Sequence, residues 1–572
     1  MSPGQAPQRR GSVGVTAALV ALCVLLAVVV CWPVSLYSES ISLDQATPGH
    51  LVYASSMQRW GPLSPNRMIG FPGGQILTPL ACPVLGLTLA LGRLLPLVVA
   101  WNLSVETLVV LQGLAFVALG AAWGWTPWQR VAAIVAAETC PLLLAYLGNG
   151  QVEHVGLASF ALITWALWRP GWVRLAVAGL GLTLAVLFSP YQAIMAGPLV
   201  LVLASRHGWR RLLAAGGVVL LCGLLARFHY GGEVQHLQPT TDPAEAAVVL
   251  PAADEGGGVP PAMPAQAMVG LARNVEADTA GLVDLVVPRV DGVLGHVAGD
   301  SPRPEARLRA ARSPPHWVSL PEASPTELPF SASYLGVLTL LAGGLGLWRA
   351  RGRAGSRPLA LWAALCLVLA LGANLSVFAG RPTGLVLPGA LLPWVPSLSF
   401  ATSTVRFLGG VAFVCVLGIA WLVRTWRPWQ VAAFAVVLAL TNLLFTPAHW
   451  PRTAVGLAVD DLAALVEPGP VAVWPGVGES LTEDHLWLSL ALDRPVAIFN
   501  PTNQEERDEE GAAQAWLAEA RAAGVRVLLE RQSVGWRRHV QASHRPPLPA
   551  EARALGDAQG YRVWLLDGGV ED

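Results

Sequence analysis

Long apolar runs recur along most of the chain, and short segments between them hold most of its charges. About 20 apolar residues, rising about 1.5 Å each in a helix, cross the roughly 30 Å of hydrocarbon in a bilayer. Runs of this kind predict transmembrane helices near 12–36, 97–122, 131–147, 154–168, 174–189, 191–205, 212–228, 332–348, 358–378, 404–423 and 429–446. The predicted fold class is therefore a polytopic α-helical membrane protein of about 11 transmembrane helices.

Two of the apolar segments need separate treatment. Residues 12–36 could be a signal peptide, but their length and the lack of a small-residue cleavage pattern favour an uncleaved first helix. Residues 77–92 are broken by Pro79, Pro83 and Gly86, which favours an interfacial or re-entrant helix over a full span. The Gly-rich piece 343–346 lies within a span and predicts close helix packing.

The connections between the predicted spans differ sharply in charge. With a cytoplasmic N-terminus, the connections on the inner side are the tail, 125–130, 169–174, 205–211, 348–357 and 424–427. They contain fourteen arginines and no acidic residue, which is the positive-inside pattern. The predicted organisation is a cytoplasmic tail, 1–11, a transmembrane domain, 12–450, with outer loops 37–76 and 229–331, and an extracytoplasmic domain, 451–572.

The C-terminal part changes character, because its charges are evenly spread. Residues 471–474, 525–529 and 561–566 predict strands, and residues 512–523 predict an amphipathic helix. Together these elements predict a small α/β domain outside the membrane. The outer loop 229–331 is rich in Pro and Gly, and only residues 284–288 in it favour a strand.

Composition supports the membrane assignment and excludes several functions. Only 13% of the 572 residues are charged, about half the usual share of roughly 25%. The 37 basic and 37 acidic residues balance, so the chain is not predicted to bind nucleic acid. All seven cysteines lie in or beside apolar runs, none in a CxxC pair, which indicates neither disulfides nor metal ligands. Neither a phosphate-binding Gly-x-x-x-x-Gly-Lys loop nor a His-Glu-x-x-His motif is present in the sequence.

Acidic residues are scarce in the membrane half, so their positions are informative. Glu39 and Asp44 follow the first span in an outer loop that also contains His50, and Glu153 and His154 stand together in a very short outer connection. A carboxylate and an imidazole at the mouth of a membrane helix are costly unless they are paired or hydrated, so they are functional candidates. Solvation in a loop is the alternative explanation for each of them.

Several short motifs follow one another in a recognisable order. They are an apolar first helix, an outer loop with an acid, Phe71–Gly74, an interfacial helix, Trp101-Asn102-Leu103, Pro141 before a Gln-x-Glu-His turn, Ser189-Pro190-Tyr191, and Pro388 to Arg406-Phe407. This order resembles bacterial members of the GT-C superfamily of integral-membrane glycosyltransferases. The resemblance covers about residues 12–450, and the C-terminal part resembles the appendage of uncharacterised and YfhO-like members.

This resemblance implies an inverting transfer of a sugar from a polyprenyl-phosphate-linked donor. The acceptor would be a lipid, glycan or protein on the outer face of a bacterial inner membrane, and membrane lipids would surround the enzyme. Asp44 matches the first-loop acid and is the expected base, although the superfamily often has two adjacent acids there and this chain has Ser42-Leu43-Asp44, with Glu39 farther upstream. Glu153 and His154 match the second acidic region and would orient the acceptor, hold a metal or bind donor phosphate. Glu153 as the base remains an alternative.

The donor phosphate calls for arginine, whose planar guanidinium pairs with phosphate oxygens and stays charged near lipid. Arg406 is the best placed, followed by Arg381 and Arg67; snorkelling to the interface is the competing explanation for each. Tyr191 and Glu39 are candidates to line the pocket. No cofactor is indicated with certainty, but Asp44 and Glu153 could share a divalent metal ion if they converge.

Two other classes of function compete with the transferase. A lipid or polysaccharide transporter or flippase would place polar residues deep in several spans, whereas the candidate acids here lie at the outer edge. A membrane scaffold would keep the fold without catalysis and would tolerate substitution of Asp44.

Overall fold

The computed structural model is built mainly from apolar helices, with a small mixed sheet near the C-terminus. It describes residues 10–32, 34, 40–42, 46–61, 68, 81–148, 150–236, 282, 285–286, 334–353, 355–372, 374–378, 381–387, 404–446, 454–456, 459–474, 488–498, 509–531, 548–549, 552–558 and 561–566.

The first half of the chain forms ten helices and one short strand within the described residues. In order they are α1 (Arg10–Cys31), β1 (Ser40–Ser42), α2 (Ala46–Trp60), α3 (Cys82–Leu91), α4 (Leu97–Ala122), α5 (Pro127–Glu138), α6 (Pro141–Gly148), a 3-10 turn (Val152–His154), α7 (Leu157–Leu167), α8 (Trp172–Phe188), α9 (Pro190–Ala204), a 3-10 turn (Ser205–His207) and α10 (Trp209–His236).

The second half alternates four further long helices with short strands and then forms the sheet. Its elements are α11 (Val337–Arg349), α12 (Ser356–Ala370), β2 (Asn374–Phe378), β3 (Arg381–Val386), a 3-10 turn (Thr404–Phe407), α13 (Leu408–Leu422), a 3-10 turn (Val423–Thr425), α14 (Pro428–Phe445), β4 (Ala454–Gly456), α15 (Asp460–Leu465), β5 (Val471–Val473), β6 (Val496–Ile498), α16 (Glu509–Ala522), β7 (Val527–Arg531), β8 (Ala552–Ala558) and β9 (Tyr561–Leu566).

Six helical stretches in the described part of the chain are long and apolar enough to cross a membrane. They are Val13–Cys31, Leu97–Ala122, Pro127–Gly148, Trp209–His229, Thr404–Thr425 and Pro428–Phe445. The remaining apolar helices are shorter, so the total of eleven spans stays a prediction. Helix α3 has ten residues and carries Pro83 in its first turn. Its interfacial or re-entrant placement stays a prediction.

The centre of the bundle consists of helices that are apolar on every side. The stretches Pro127–Gly148 and Thr404–Thr425 are buried along nearly their whole length, whereas α10 exposes Leu220, Leu224 and Phe228. A helix that is hydrophobic all round belongs in the interior of a bundle, and an exposed apolar face suits lipid. The bundle therefore has a packed core of α5, α6 and α13 within an outer layer of helices.

Small residues bring α11 and α13 into close contact. A Cβ atom built on Gly343 would lie 2.7 Å from Cys415 Cα, and one built on Gly346 would overlap the Gly418 carbonyl group. Gly344 has open space around it instead. The predicted packing role of the Gly-rich piece is thus confirmed for Gly343 and Gly346.

Two sequence predictions about local structure were wrong. The predicted span 358–378 ends as a helix at Ala370, and residues 374–378 pair antiparallel with 381–386 in a hairpin. Gly372, with a φ of 76°, lies between the helix and this hairpin, a conformation glycine adopts readily. Residues 285 and 286 form a turn, not part of a strand, and the Leu285 carbonyl accepts a hydrogen bond from the Leu335 N–H at 3.1 Å.

The C-terminal sheet has five strands in the order β6-β5-β7-β9-β8. Strand β5 is parallel to β6 and β7, and β9 runs antiparallel to β7 and β8. Strands β5, β7 and β9 and helix α16 lie within a few residues of the elements predicted from the sequence. The predicted limits of the domain, 451–572, remain a prediction.

Three contacts connect the segment after α1 with the C-terminal region. Strand β1 pairs antiparallel with β4, Arg59 of α2 forms an ion pair with Asp493, and the Ser489 hydroxyl donates to the Met68 carbonyl at 3.3 Å. The first connection of the membrane domain and the C-terminal sheet therefore meet at one end of the bundle.

Candidate active site

Glu153 and His154 lie at the end of the bundle where the C-terminal sheet packs. They form a 3-10 turn between α6 and α7. Gly150 enters this turn with a φ of 68°, and the Gln151 N–H donates to the Tyr146 carbonyl at 2.9 Å. The Gln192 side chain of α9 donates to the Glu153 carbonyl at 3.0 Å. Hydrogen bonds from α6 and α9 therefore fix the backbone of this turn, and with it the positions of the Glu153 and His154 Cα atoms.

Two imidazoles flank the Glu153 carboxylate. His50 Nε2 lies 3.5 Å from Glu153 Oε2, and His154 Nε2 lies 3.6 Å from Oε1, while only 6% of the glutamate side chain is exposed. His50 comes from α2 and stacks on Trp101 of α4, with ring centroids 5.0 Å apart. Helix α2 thus carries the His50 imidazole, and the Trp101 ring of α4 orients it towards the Glu153 carboxylate.

The other nitrogen of His154 faces a hydroxyl. Its Nδ1 lies 3.2 Å from Ser189 Oγ, and the backbone N–H of Tyr191 donates to the same oxygen at 3.3 Å. When the Ser189 hydroxyl donates to Nδ1, a neutral His154 carries its proton on Nε2, which faces Glu153. Ser189 precedes α9 as its N-cap residue, so the start of that helix places the hydroxyl that faces His154 Nδ1.

Arg406 adds a positive charge beside this cluster. Its guanidinium carbon lies 4.8 Å from the centre of the Tyr191 ring, and that ring meets His154 edge-on with centroids 5.7 Å apart. A guanidinium over an aromatic face is attracted by the ring quadrupole. The 3-10 turn before α13 therefore places Arg406 beside Tyr191, close enough for its charge to act on His154.

The pKa values of the central pair move in the same direction for different reasons. Burial lowers the pKa of His154 to about 3, and the positive charge of Arg406 adds to this effect. Burial alone would raise the pKa of Glu153, but the positive charge of a protonated His154 and the contact with His50 outweigh it and lower this pKa to about 2. The two groups therefore titrate as a coupled pair, because the pKa of Glu153 depends on whether His154 is protonated.

The cluster keeps unused hydrogen-bonding capacity. Glu153 Oε2 and His154 Nε2 are buried, and neither has a hydrogen-bond partner in the described part of the chain. Their 3.5 Å and 3.6 Å contacts are longer than ordinary hydrogen bonds. Since a buried polar atom without a partner costs about 1–3 kcal/mol, these atoms are suited to bind a polar group of a ligand.

The described residues include no group of three or more His, Cys, Asp and Glu side chains arranged to hold a metal ion. Asp44, which the sequence analysis pairs with Glu153 in a possible cation site, lies outside those residues, as do Glu39 and Arg67. Arg381 begins β3, but its side chain is not described. The structure thus brings together Glu153, His154, Tyr191 and Arg406, and it leaves the other candidates as predictions.

Sequence analysis did not assign His50 or Ser189 to the site. His50 is one polar residue among several in the first outer loop, and Ser189 is adjacent to a Pro-Tyr pair at a tight turn. No spacing links either of them to Glu153 or His154. Only the packing of α2 and α9 against the 152–154 turn brings them together.

Comparisons with known proteins give distant structural likenesses. No protein-family model and no curated protein matches the chain. Among solved structures, the chain is similar to the cryo-EM structure of arabinofuranosyltransferase AftD from mycobacteria, at 15% identity and a TM-score of 0.48. The alignment covers 98% of this chain and 42% of that protein, so this chain spans less than half of its length.

Proposed function

We propose that the protein is an inverting, membrane-embedded glycosyltransferase of the GT-C type. It would transfer a sugar from a polyprenyl-phosphate-linked donor to a lipid, glycan or protein acceptor at the outer face of the inner membrane. The observation that carries the proposal is the Glu153 side chain: it is buried at one end of an apolar bundle, it is flanked by two imidazoles, and its Oε2 has no hydrogen-bond partner among the described residues.

The reaction requires a base for the acceptor. A carboxylate takes the proton of the acceptor hydroxyl while the hydroxyl oxygen attacks the anomeric carbon of the donor sugar. The new glycosidic bond forms as the bond between that carbon and the phosphate oxygen breaks, and the electron pair leaves with the polyprenyl phosphate. A single displacement of this kind inverts the anomeric carbon.

Either of two carboxylates can serve as this base. Glu153 has a lowered pKa and an oxygen without a hydrogen-bond partner among the described residues. Asp44 stands in the sequence between β1, which ends at Ser42, and α2, which begins at Ala46 and carries His50. The proposal assigns the base to Asp44 and the orientation of the acceptor to Glu153 and His154, with the reverse assignment as the alternative.

The leaving phosphate needs positive charge, and Arg406 is the candidate that the described residues place beside the cluster. Its contact with the Tyr191 ring fixes the guanidinium beside His154, where a departing phosphate could accept its N–H groups. A long prenyl chain also needs an apolar surface, and the outer helices of the bundle expose one. Arg381 and Arg67 remain further candidates for the phosphate, and Glu39 for the pocket.

One observation favours the competing transporter class. Glu138 is fully buried within the apolar stretch Pro127–Gly148, and neither of its carboxyl oxygens has a hydrogen-bond partner in the described part of the chain. Ionisable groups inside the membrane often mark transport pathways. A transporter would therefore depend on Glu138, whereas the proposed transferase depends on Glu153 and Asp44.

The test compares lipid-linked sugars and surface glycans by mass spectrometry in cells at matched membrane abundance of each variant. The variants are Asp44→Asn, Glu153→Gln and Glu138→Gln, with Glu519→Gln on the exposed face of α16 as a control. Loss of a general base lowers turnover about 10²- to 10⁴-fold. We expect Asp44→Asn to lose the same glycan as a gene deletion, with accumulation of a polyprenyl-phosphate sugar, and Glu153→Gln to reduce it.

Three other outcomes would contradict all or part of the proposal. If only Glu138→Gln reproduces the deletion, the transporter explains the protein better. If none of the substitutions changes a glycan that the deletion removes, the protein acts as a scaffold. If Glu153→Gln abolishes transfer and Asp44→Asn does not, the transferase stands and Glu153 is the base.

A further inference from the structure

The end of the bundle opposite the candidate site carries arginines without acidic partners. The connections 123–126, 168–171, 205–208, 350–355 and 423–427, together with the helix ends beside them, contain ten or more arginines and no Asp or Glu in the sequence. Among the described residues, none of these arginines forms an ion pair with a carboxylate. This arginine end therefore has an uncompensated positive charge.

Tryptophans pack this end into a specific arrangement. The Trp123 ring stacks on Trp421 with an interplanar angle of 7° and lies 4.1 Å from the Trp168 ring, between centroids. The guanidinium carbon of Arg206 lies 4.7 Å from the centre of the same Trp168 ring. The ends of α4, α7, α9 and α13 thus meet around Trp168. These side chains contact one another, whereas the residues of an ordinary interfacial aromatic belt need only contact lipid.

Three buried donors in this arrangement have no acceptor. Trp123 Nε1, Arg130 Nε and Arg206 Nη1 lack a hydrogen-bond partner in the described part of the chain. Arg130 and Trp125 both lie next to Gly120, and the Trp125 ring packs edge-on against Trp123. Trp125 therefore connects Arg130 with the other two residues. Buried polar groups in proteins are nearly always hydrogen-bonded, so unpaired donors of one kind point to a missing acceptor.

The backbone next to Arg206 leaves room for its head group. A Cβ atom built on Gly355 would lie 2.7 Å from Arg206 Nη1 and 2.6 Å from Trp168 Cζ3. Gly355 has a φ of 97°, which glycine adopts readily. Burial also lowers the pKa of Arg206, because its charge is held away from water without a carboxylate to balance it. An anion at this place would supply both the charge and the acceptor.

We propose that the arginine end binds phosphate, with the Arg206 guanidinium as the central donor and Trp123 Nε1 and Arg130 Nε as further donors at the same end. Guanidinium groups suit phosphate because their planar N–H pairs match two of its oxygens, and the indole N–H adds a donor that carries no charge. The phosphate belongs either to the headgroup of an anionic lipid or to a free ion. The site is separate from the Glu153 cluster, so it does not depend on the proposed transfer.

The experiment measures which lipids stay on the purified full-length protein. The protein is reconstituted in mixed phosphatidylglycerol and phosphatidylcholine, transferred to detergent, and examined by native mass spectrometry. We expect selective retention of phosphatidylglycerol, with a loss of roughly tenfold in Arg206→Gln, because this substitution removes the charge and the paired N–H donors of the guanidinium. Arg351→Gln is the matched control, because Arg351 lies over the exposed Trp348 ring at 4.9 Å and should retain the lipid.

Further measurements distinguish a lipid phosphate from a free phosphate ion and add a second variant in case Arg206→Gln does not fold. Trp123→Phe removes one N–H donor and keeps an aromatic ring in the stack, so it should weaken retention even if Arg206→Gln does not fold. If added inorganic phosphate binds with the same dependence on Arg206 and no lipid is retained selectively, the source is the free ion. Equal retention of both lipids without phosphate binding, or equal losses in Arg206→Gln and Arg351→Gln, would overturn the proposal.

Discussion

The contact between α11 and α13 gives a prediction whose size follows from the coordinates. A methyl group added at Gly343 would sit 2.7 Å from Cys415 Cα and 2.8 Å from Cys415 Cβ. Carbon atoms in favourable contact are about 3.5–4.0 Å apart. The two helices would therefore have to separate by about 1 Å, and neither partner atom is the flexible end of a side chain.

Gly344 provides the matched control, one residue farther along the same helix. A Cβ atom at this position meets nothing within 4 Å. Forcing extra volume into a packed core costs about 1–3 kcal/mol, whereas replacing glycine by alanine within a helix gains up to about 1 kcal/mol. We thus expect Gly343→Ala to lower the stability of the bundle and Gly344→Ala to leave it unchanged or raise it.

The assay is thermal unfolding of the purified protein in one detergent, with all variants heated at the same rate. Unfolding of a large membrane protein is commonly irreversible, so the midpoints are compared as kinetic stabilities. Gly343→Ala should unfold at a temperature several degrees below the wild type, and Gly344→Ala should not. Equal midpoints for the two variants would show that α11 and α13 do not pack through this face.

Three further predictions use the same measurement. The folded pKa of His154 lies at about 3, below its usual 6.5, so the protein should lose stability as the pH falls from about 6.5 towards 3. His154→Gln should flatten this loss, and an unchanged pH profile in that variant would argue against burial of a neutral imidazole. Gly113→Ala would place a methyl group over the Glu138 carboxyl and should lower the midpoint, while an unaffected midpoint would contradict that packing. Arg59→Ala removes an ion pair with the exposed Asp493 and should change stability by less than about 1 kcal/mol, so a large shift would mean that this contact does more than the geometry indicates.

Hydropathy predicted the positions of the helices better than their ends. Spans near 97–122 and 429–446 match α4 and α14 closely, since their apolar runs are bounded by Pro, Trp or Arg. The span near 358–378 fails because an apolar segment of Leu, Val and Phe suits a buried strand as well as a helix. The decisive residue there is Gly372, whose positive φ the sequence does not reveal.

The site was predictable only where its residues are neighbours in sequence. Glu153 and His154 stand out because an acid and an imidazole are adjacent in a short connection between apolar runs. Their partners His50 and Ser189 lie on α2 and at the start of α9, and no pattern of spacing connects them. Long-range packing decides such contacts, and a single sequence carries no direct signal of it.

The two ends of the bundle differ in the kind of hydrogen-bonding capacity they leave unused. At the C-terminal sheet, the unused groups in the described part of the chain are Glu153 Oε2, an acceptor, and His154 Nε2, and such a pair suits a neutral hydroxyl. At the opposite end, the unused groups of Trp123, Arg130 and Arg206 are donors only, which suits an anion. Because the acceptor and the donors lie at opposite ends of an apolar bundle, they cannot satisfy each other. The ligands proposed for the two ends therefore differ in chemistry, and a substitution that affects one should leave binding at the other unchanged.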